Sequence, residues 1–341
     1  MNDAGGPPVA VLGAGSWGTG LAIHLGRLGK PVRLWARDAA LAAEIARTRE
    51  NARYLPGIPI PDGVGVTAVA GEAVAGAAVV IVAVPSHVLE DALRPMAAAI
   101  SVRTIVVSAT KGLEPRRGRR ISELLAEVVP GRPLAVLSGP SFAREVALGR
   151  PAALVIASSD AGVAQRLQRE LAAPAFRLYT NGDVLGVELG GALKNVMAIA
   201  TGLCDGLGLG ENARAALITR GLAEIVRLGV ALGAQPATFS GLAGLGDLVL
   251  TCTGSLSRNR ALGRAVACGR SLAEAEAGTR MVAEGVRTVS SALRLARGAR
   301  VPMPICHEVG EVLFQGKPVA EALHALLARE PRPEEEARLD A

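Results

Sequence analysis

Aromatic residues are scarce. The 341-residue chain holds two Trp, two Tyr and four Phe, 2% of its residues. So few rings leave little to stack on bases, and a net charge of +6 is mild for this length, so nucleic acid is not an expected partner. The core must instead be built from Ala, Val, Leu and Ile, since half of the residues are apolar. Cysteine is equally thin. Cys204, Cys252, Cys268 and Cys306 lie far apart with no C-x-x-C pair, which argues against a disulfide scaffold or zinc site and fits a reducing compartment. The four histidines (His24, His87, His307, His324) are just as scattered, so no metal is expected. Long hydrophobic runs are also missing: the longest clean one, Ala77 to Val84, is too short to cross a bilayer. Met1 to Pro8 reads as a Gly/Pro-rich tail, not a signal peptide. A soluble, cytoplasmic protein without membrane insertion is the expectation, and its mild positive charge suits an anionic small molecule.

The length allows two domains, each with its own core. The first half alternates strand and helix. Val9-Ala-Val-Leu12 runs straight into Gly13-Ala-Gly15-Ser16-Trp17-Gly18 and then a helical stretch. That context lifts the glycine pattern above a chance match. Gly13 permits the tight turn, Gly15 lets a pyrophosphate approach the backbone, and Gly18 lets the helix pack on the strand. The helix start offers free N–H groups to the phosphates. A second strand, Val32 to Ala36, ends in Arg37-Asp38. Asp38 could hold ribose hydroxyls or cap the next helix, and the capping role leaves Arg37 for the ribose and for NADP. Apolar runs at residues 78–84, 104–108 and 134–138 read as buried parallel strands. Each ends in polar or glycine-bearing residues: Pro85-Ser86-His87, Lys111-Gly112 and Gly139-Pro140-Ser141-Phe142-Ala143. In open α/β sheets ligands bind at such carboxyl ends. Residues 152–157 and 176–179 look like further strands, with a helix from Asp160 between them. The Arg116-Arg117-Gly-Arg119-Arg120 cluster is expected on a solvated loop or helix start.

After Thr180 the pattern turns helical. Glu188-Leu-Gly-Gly-Ala-Leu-Lys194-Asn195 opens a run in which Leu189, Leu193, Val196, Ala200 and Leu203 form one apolar stripe. Lys194 lies off that stripe, one turn above Gly190. Two helical glycines cost roughly 1 kcal/mol each relative to alanine, so another backbone or a flat ligand should approach closely there. The alternative is a surface lysine beside a helix-packing Gly-Gly. Asp247, a lone charge in an apolar stretch, is either a cap or a buried carboxylate paired with a lysine. Thr251 to Arg260 packs hydroxyls, an amide and guanidinium groups into one helix start, which is either an oxyanion clamp or an ordinary cap. The expected organisation is a tail at 1–8, a Rossmann-type doubly wound α/β domain at 9–185, an all-α substrate domain at 186–330, and a disordered tail at 331–341.

Taken together, GAGSWGT, VPSH, SATKGLE, SGPSFAREVA, ELGGALKNVMAIATGLCDGLGLGENARAALITRG, GLAGLGDLVLTCTGSLSRNR and VAEGVRTV resemble the bacterial-type NAD(P)-dependent glycerol-3-phosphate dehydrogenases from about Val9 to Phe314. The resemblance implies reversible reduction of dihydroxyacetone phosphate to sn-glycerol 3-phosphate, with NADP or NAD as cofactor and a homodimer as the assembly. It implies cofactor contacts from Ser16, Trp17, Arg37, Lys111, Ala143, Arg258, Val282 and Glu284. Substrate contacts fall to Lys111, Gly139, Ser141, Lys194, Asp247, Ser257, Arg258 and Asn259, with Lys194 the proton acceptor. Gly20, where alanine is usual, departs from the pattern. Two rival readings stay open: a related two-domain dehydrogenase acting on a carboxylate such as ketopantoate, and a nucleotide-sensing regulator without turnover.

Overall fold

The structure, a computed structural model, describes residues 6–277 and 283–330. Residues 1–5 of the expected N-terminal tail, all of the expected tail at 331–341, and Val282 lie outside the described residues. Eight strands form one sheet: β1 (Val9–Leu12), β2 (Val32–Trp35), β3 (Val64–Thr67), β4 (Val79–Val82), β5 (Ile105–Ser108), β6 (Leu134–Ser138), β7 (Ala152–Ala157) and β8 (Phe176–Asn181). The order is β3-β2-β1-β4-β5-β6-β7-β8. Helices α1 (Ser16–Arg27), α2 (Ala39–Thr48), α3 (Ala70–Val74), α4 (Leu89–Leu93), α5 (Ile121–Val128), α6 (Ala143–Ala147) and α7 (Ala161–Leu171) accompany the strands. Alternate residues of one strand feed cores on opposite faces. Val9, Val11, Val79 and Ile81 pack on one side, and Ala10, Leu12, Val80 and Val82 on the other.

Two features depart from the expected sheet. Strand β3 occupies an edge where no strand was expected, because Val-Gly-Val-Thr is too short and glycine-broken to signal itself. Pairing is parallel from β3 through β6, but β6 meets β7 antiparallel, so β7 and β8 run opposite to the rest. The connection from β6 carries only the short α6, which packs against α1 at Gly20 and Ala143 instead of crossing the sheet. The arginine cluster is likewise only half solvated. Arg116 and Arg117 are exposed, whereas Arg119 pairs with Glu127 at 2.5 Å and Arg120 with Glu123 at 2.7 Å and Glu188 at 3.2 Å.

Beyond β8 the described chain is helical: α8 (Val184–Gly206), α9 (Gly210–Ala231), α10 (Pro236–Phe239), a π turn (Leu242–Gly246), α11 (Asp247–Thr253), α12 (Arg258–Ala267), α13 (Leu272–Ala277), α14 (Glu284–Ala299), α15 (Pro304–Gln315) and α16 (Val319–Leu327). Helix α8 follows the last strand after two residues, and the boundary proposed at 185/186 lies in its first turn. The expected one-sided stripe proves too narrow a reading, because every residue from Gly186 to Cys204 is buried. Its glycines explain how neighbours come so close. A Cβ on Gly190 would sit 2.5 Å from the Ala243 carbonyl, and one on Gly202 would strike the Arg260 carbonyl. The close approach that offsets the glycine cost is therefore by protein backbone. With 23 residues and a mean hydropathy of 1.3, α8 is long and apolar enough to cross a bilayer, a length the clean apolar runs did not reveal, but 89% of that stretch is buried within the protein.

Candidate active site

The glycine loop sits at the carboxyl end of β1, where the strand order reverses towards β4. Gly13 adopts φ +111°, and a Cβ there would press on the Ala83 carbonyl at 2.9 Å. Above Gly15 the space is open, and Gly15 caps α1 with no side-chain hydrogen bond. Gly15 thus brings no side chain between the start of α1 and the open space, and a diphosphate laid there would meet the positive end of the helix. Trp17 donates its indole N–H to the Ala109 carbonyl at 3.1 Å, tying the loop to the end of β5. At the end of β2, Asp38 is engaged elsewhere. Its Oδ1 accepts the N–H groups of Ala40 and Leu41 at 3.0 and 3.2 Å, and its Oδ2 pairs with Arg53 at 3.3 Å. Arg37, exposed beside it, is left as the ribose-side candidate. These residues fit a nicotinamide dinucleotide.

Across the cleft, Asp247 joins the two lysines. Its Oδ1 lies 2.5 Å from Lys194 Nζ and its Oδ2 lies 3.0 Å from Lys111 Nζ. Lys111 Nζ also donates to the Gly139 carbonyl at 2.6 Å and to Ser141 Oγ at 2.9 Å, and stands 5.7 Å from the Trp17 ring centre. Lys194 Nζ donates to Thr251 Oγ1 at 2.9 Å. The expectation of a paired, buried Asp247 holds: it is 1% exposed, and Lys194 is 5% exposed. Burial lowers Lys194 to a pKa of about 8, a fall opposed by Asp247 and reinforced by Lys111. A lysine so poised exchanges a proton near neutral pH. The sequence offers Thr251 as one hydroxyl of the clamp segment and not as a partner of Lys194. Its place four residues after Asp247, on the same face of α11, is the signal that could have found it.

A chain of amides runs behind the lysines. Asn195 Nδ2 donates to the Lys111 carbonyl at 3.0 Å, Asn259 Nδ2 donates to Asn195 Oδ1 at 2.9 Å, and Gly285 N–H donates to Asn259 Oδ1 at 3.0 Å. Asn259 thus commits its carbonyl and one N–H to the fold. Ser257 serves as the N-cap of α12, its Oγ accepting the Arg260 N–H at 3.3 Å. Thr251 to Arg260 therefore spans the end of α11 and the start of α12, not one helix start. Burial lowers the pKa of Arg258, whose charge is partly answered by Glu284. Glu284 accepts Ser86 N–H at 3.1 Å and Ser86 Oγ–H at 2.7 Å, fastening the end of β4 to α14. Burial raises its pKa, against those hydrogen bonds. Ala143 opens α6, and its carbonyl lies about where a Cβ on Gly20 would touch, at 3.0 Å, which gives the glycine at 20 a packing reason. No group of three or more metal-ligating side chains occurs among the described residues.

The chain is similar to known proteins over nearly its whole length. Residues 8–164 match the model of the NAD-dependent glycerol-3-phosphate dehydrogenase N-terminus, and residues 183–324 that of its C-terminus. Glycerol-3-phosphate dehydrogenases (NAD(P)+) from a Geobacter species and from Geobacter sulfurreducens are each 50% identical, over 94% and 96% of this chain and 97% and 98% of their own. A solved glycerol-3-phosphate dehydrogenase from Coxiella burnetii superposes with a TM-score of 0.92 at 40% identity, covering 95% of this chain and 99% of that one. A ketopantoate reductase from Ralstonia eutropha shares the fold alone, at 19% identity and a TM-score of 0.61.

Proposed function

We propose how this chain, which belongs to the NAD-dependent glycerol-3-phosphate dehydrogenase family, reduces dihydroxyacetone phosphate to sn-glycerol 3-phosphate for phospholipid synthesis. The single observation that carries the mechanism is the Asp247 carboxylate shared by Lys194 and Lys111. Bound NADH or NADPH would supply the hydride that reduces carbon 2. The C2 oxygen must then gain a proton, and the Lys194 ammonium donates it, held in place by Asp247 and Thr251. In the reverse direction neutral Lys194 accepts the proton. Lys111, fixed by Gly139 and Ser141, polarises the carbonyl. Arg258, Asn259 and the start of α12 grip the phosphate, with Ser257 setting that helix start. Lys111, Lys194 and Arg258 set three cationic groups against the carboxyl groups of Asp247 and Glu284, a balance that suits an anionic substrate. Ser16, Trp17, Gly13, Gly15, Gly18, Arg37 and Ala143 hold the cofactor, with Glu284 closing the site from α14 through Ser86.

Oxidation of NADH and of NADPH by the pure protein with dihydroxyacetone phosphate tests this reading. Lys194→Ala should retain cofactor binding while kcat falls by at least the ~10²–10⁴-fold typical of a lost acid or base. Near-normal kcat in that variant would remove Lys194 from the mechanism. Turnover of dihydroxyacetone phosphate in preference to ketopantoate excludes the carboxylate reading, and turnover of any kind excludes a mere nucleotide sensor. A homodimer in the cytoplasm is the proposed setting. The exposed Leu245 and Val249, one turn apart, support an apolar contact, and sedimentation should report about twice the 34.8 kDa chain mass.

A further inference from the structure

A second basic site lies on the far side of α12. Helix α12 buries Asn259, Leu262 and Gly263 against α8 and turns Arg260, Ala261, Arg264, Ala265 and Cys268 outward. These residues, with Ser255 and Arg270, line a cavity of about 430 Å³. That volume falls within the range of small-molecule sites, roughly 300–1,000 Å³. Neither Lys111, Lys194, Asp247, Arg258 nor Asn259 lines it, so it is not the substrate cleft, although Ser257 stands at the end shared by both.

The three arginines are not equivalent. Arg260 is answered by Asp205, with Nε 2.6 Å from Oδ2, and donates Nη1 to the Thr253 carbonyl at 2.8 Å. Arg264 and Arg270 have no ion-pair partner among the described residues. Gly269, at φ +90°, folds the chain back so that the Arg270 N–H reaches the Ala265 carbonyl at 3.1 Å, and this turn returns a second guanidinium to the cavity, its charge felt by Glu274 but not paired with it. Arg260 and Arg264 stand one turn apart, an unfavourable spacing for like charges that Asp205 offsets at Arg260 alone. A phosphate group carries about −1.5 to −2 charge at pH 7 and suits Arg264 and Arg270, whose guanidinium groups bind such oxygens in a planar fork.

We propose that this cavity is a second anion site that takes a small phosphate-bearing molecule, separate from the substrate's phosphate grip on the opposite side of the same helix. The site contains its own reporter. Cys268 is the exposed cysteine of the four, whereas Cys204, Cys252 and Cys306 are buried, and burial pushes the Cys252 thiol up to about 12. The uncharged reagent N-ethylmaleimide should therefore label Cys268 first in the native protein, as read by peptide mass. Inorganic pyrophosphate, added with NADH present to fill the glycine loop, should slow that labelling saturably. At ten times its dissociation constant the slowing should be about tenfold, and chloride at equal ionic strength should not reproduce it. The double variant Arg264→Ala, Arg270→Ala should lose the protection and keep its kcat, since neither residue touches the catalytic groups. Arg258→Ala should keep the protection. The proposal is overturned if pyrophosphate and chloride act alike, if the double variant stays protected, or if Arg258→Ala alone abolishes protection and so places the anion in the substrate cleft.

Discussion

Replacing Asp247 by asparagine isolates the carboxylate that the two lysines share. In the native protein Lys194 titrates near 8, so at pH 7 about nine-tenths of it is ammonium, the form that protonates the C2 oxygen during reduction. Burial is the largest cause of that lowered value and Asp247 the largest opposing one. An opposite charge within hydrogen-bonding distance is worth about 1–3 pKa units, so its loss should carry Lys194 to between about 5 and 7. At a value of 6 only about one-tenth would be ammonium at pH 7, and reduction would slow about tenfold from protonation alone. Lys111, 3.0 Å from the same carboxylate, would lose a partner as well, so the total loss should be larger. Leaving a buried ammonium unpaired costs about 3–5 kcal/mol, but Lys194 escapes most of that by releasing its proton. The assay is the pH dependence of kcat for NADH oxidation with saturating dihydroxyacetone phosphate. Native activity should fall above pH about 8, and in Asp247→Asn the same limb should appear between about pH 5 and 7. The oxidation of glycerol 3-phosphate should show the mirror image, rising with pH through the same values. A limb that stays near pH 8 in the variant would refute the claim that Asp247 sustains the charge on Lys194.

Three further outcomes follow from the geometry. Arg37→Ala should weaken NADPH more than NADH in titrations, because only NADPH offers a 2′-phosphate and Asp38 is committed to capping α2; equal losses would make Arg37 structural. Arg258→Ala should weaken dihydroxyacetone phosphate about 10- to 150-fold, Arg258→Lys should recover only part, and unphosphorylated dihydroxyacetone should be hardly affected; the same factor on both substrates would end the phosphate assignment. Buried Glu224 accepts the Ile305 and Cys306 N–H groups at 2.7 and 3.3 Å, capping α15, and burial pushes it up to about 7. Its folded pKa lies above the unfolded one, so its stabilisation is full below pH about 4.5 and is lost as pH rises through 7, by at most about 3 kcal/mol. Chemical denaturation at pH 5 and pH 8 should show Glu224→Gln with less of that decline; an unchanged slope would contradict the linkage.

Much of the sheet domain was legible because its signals are local. The run Ala152 to Ala157 forms β7 over those same residues, Asp160 caps α7, and the glycine loop follows β1 as its spacing requires. Asp38 caps α2 through N–H groups two and three residues away, contacts that a short stretch of sequence specifies by itself. The reversal of β7 and β8 has no such trace, because an apolar strand reads the same in either direction and its pairing is settled by how α6 packs on α1. Burial on all sides of α8 was equally hidden, since it depends on which backbones arrive at Gly190 and Gly202. The chemistry divides in the same way. The sequence offered Asp247 two roles, a cap or a partner for a lysine. Only the tertiary structure brought it to Lys194, 53 residues away, and to Lys111, 136 residues away. Asn195, Asn259 and the Glu284–Ser86 clasp, whose partners lie 198 residues apart, were set by the same long-range closure. Hydrogen bonds between distant side chains impose no period on the chain, so only packing decides which polar groups meet when water is excluded.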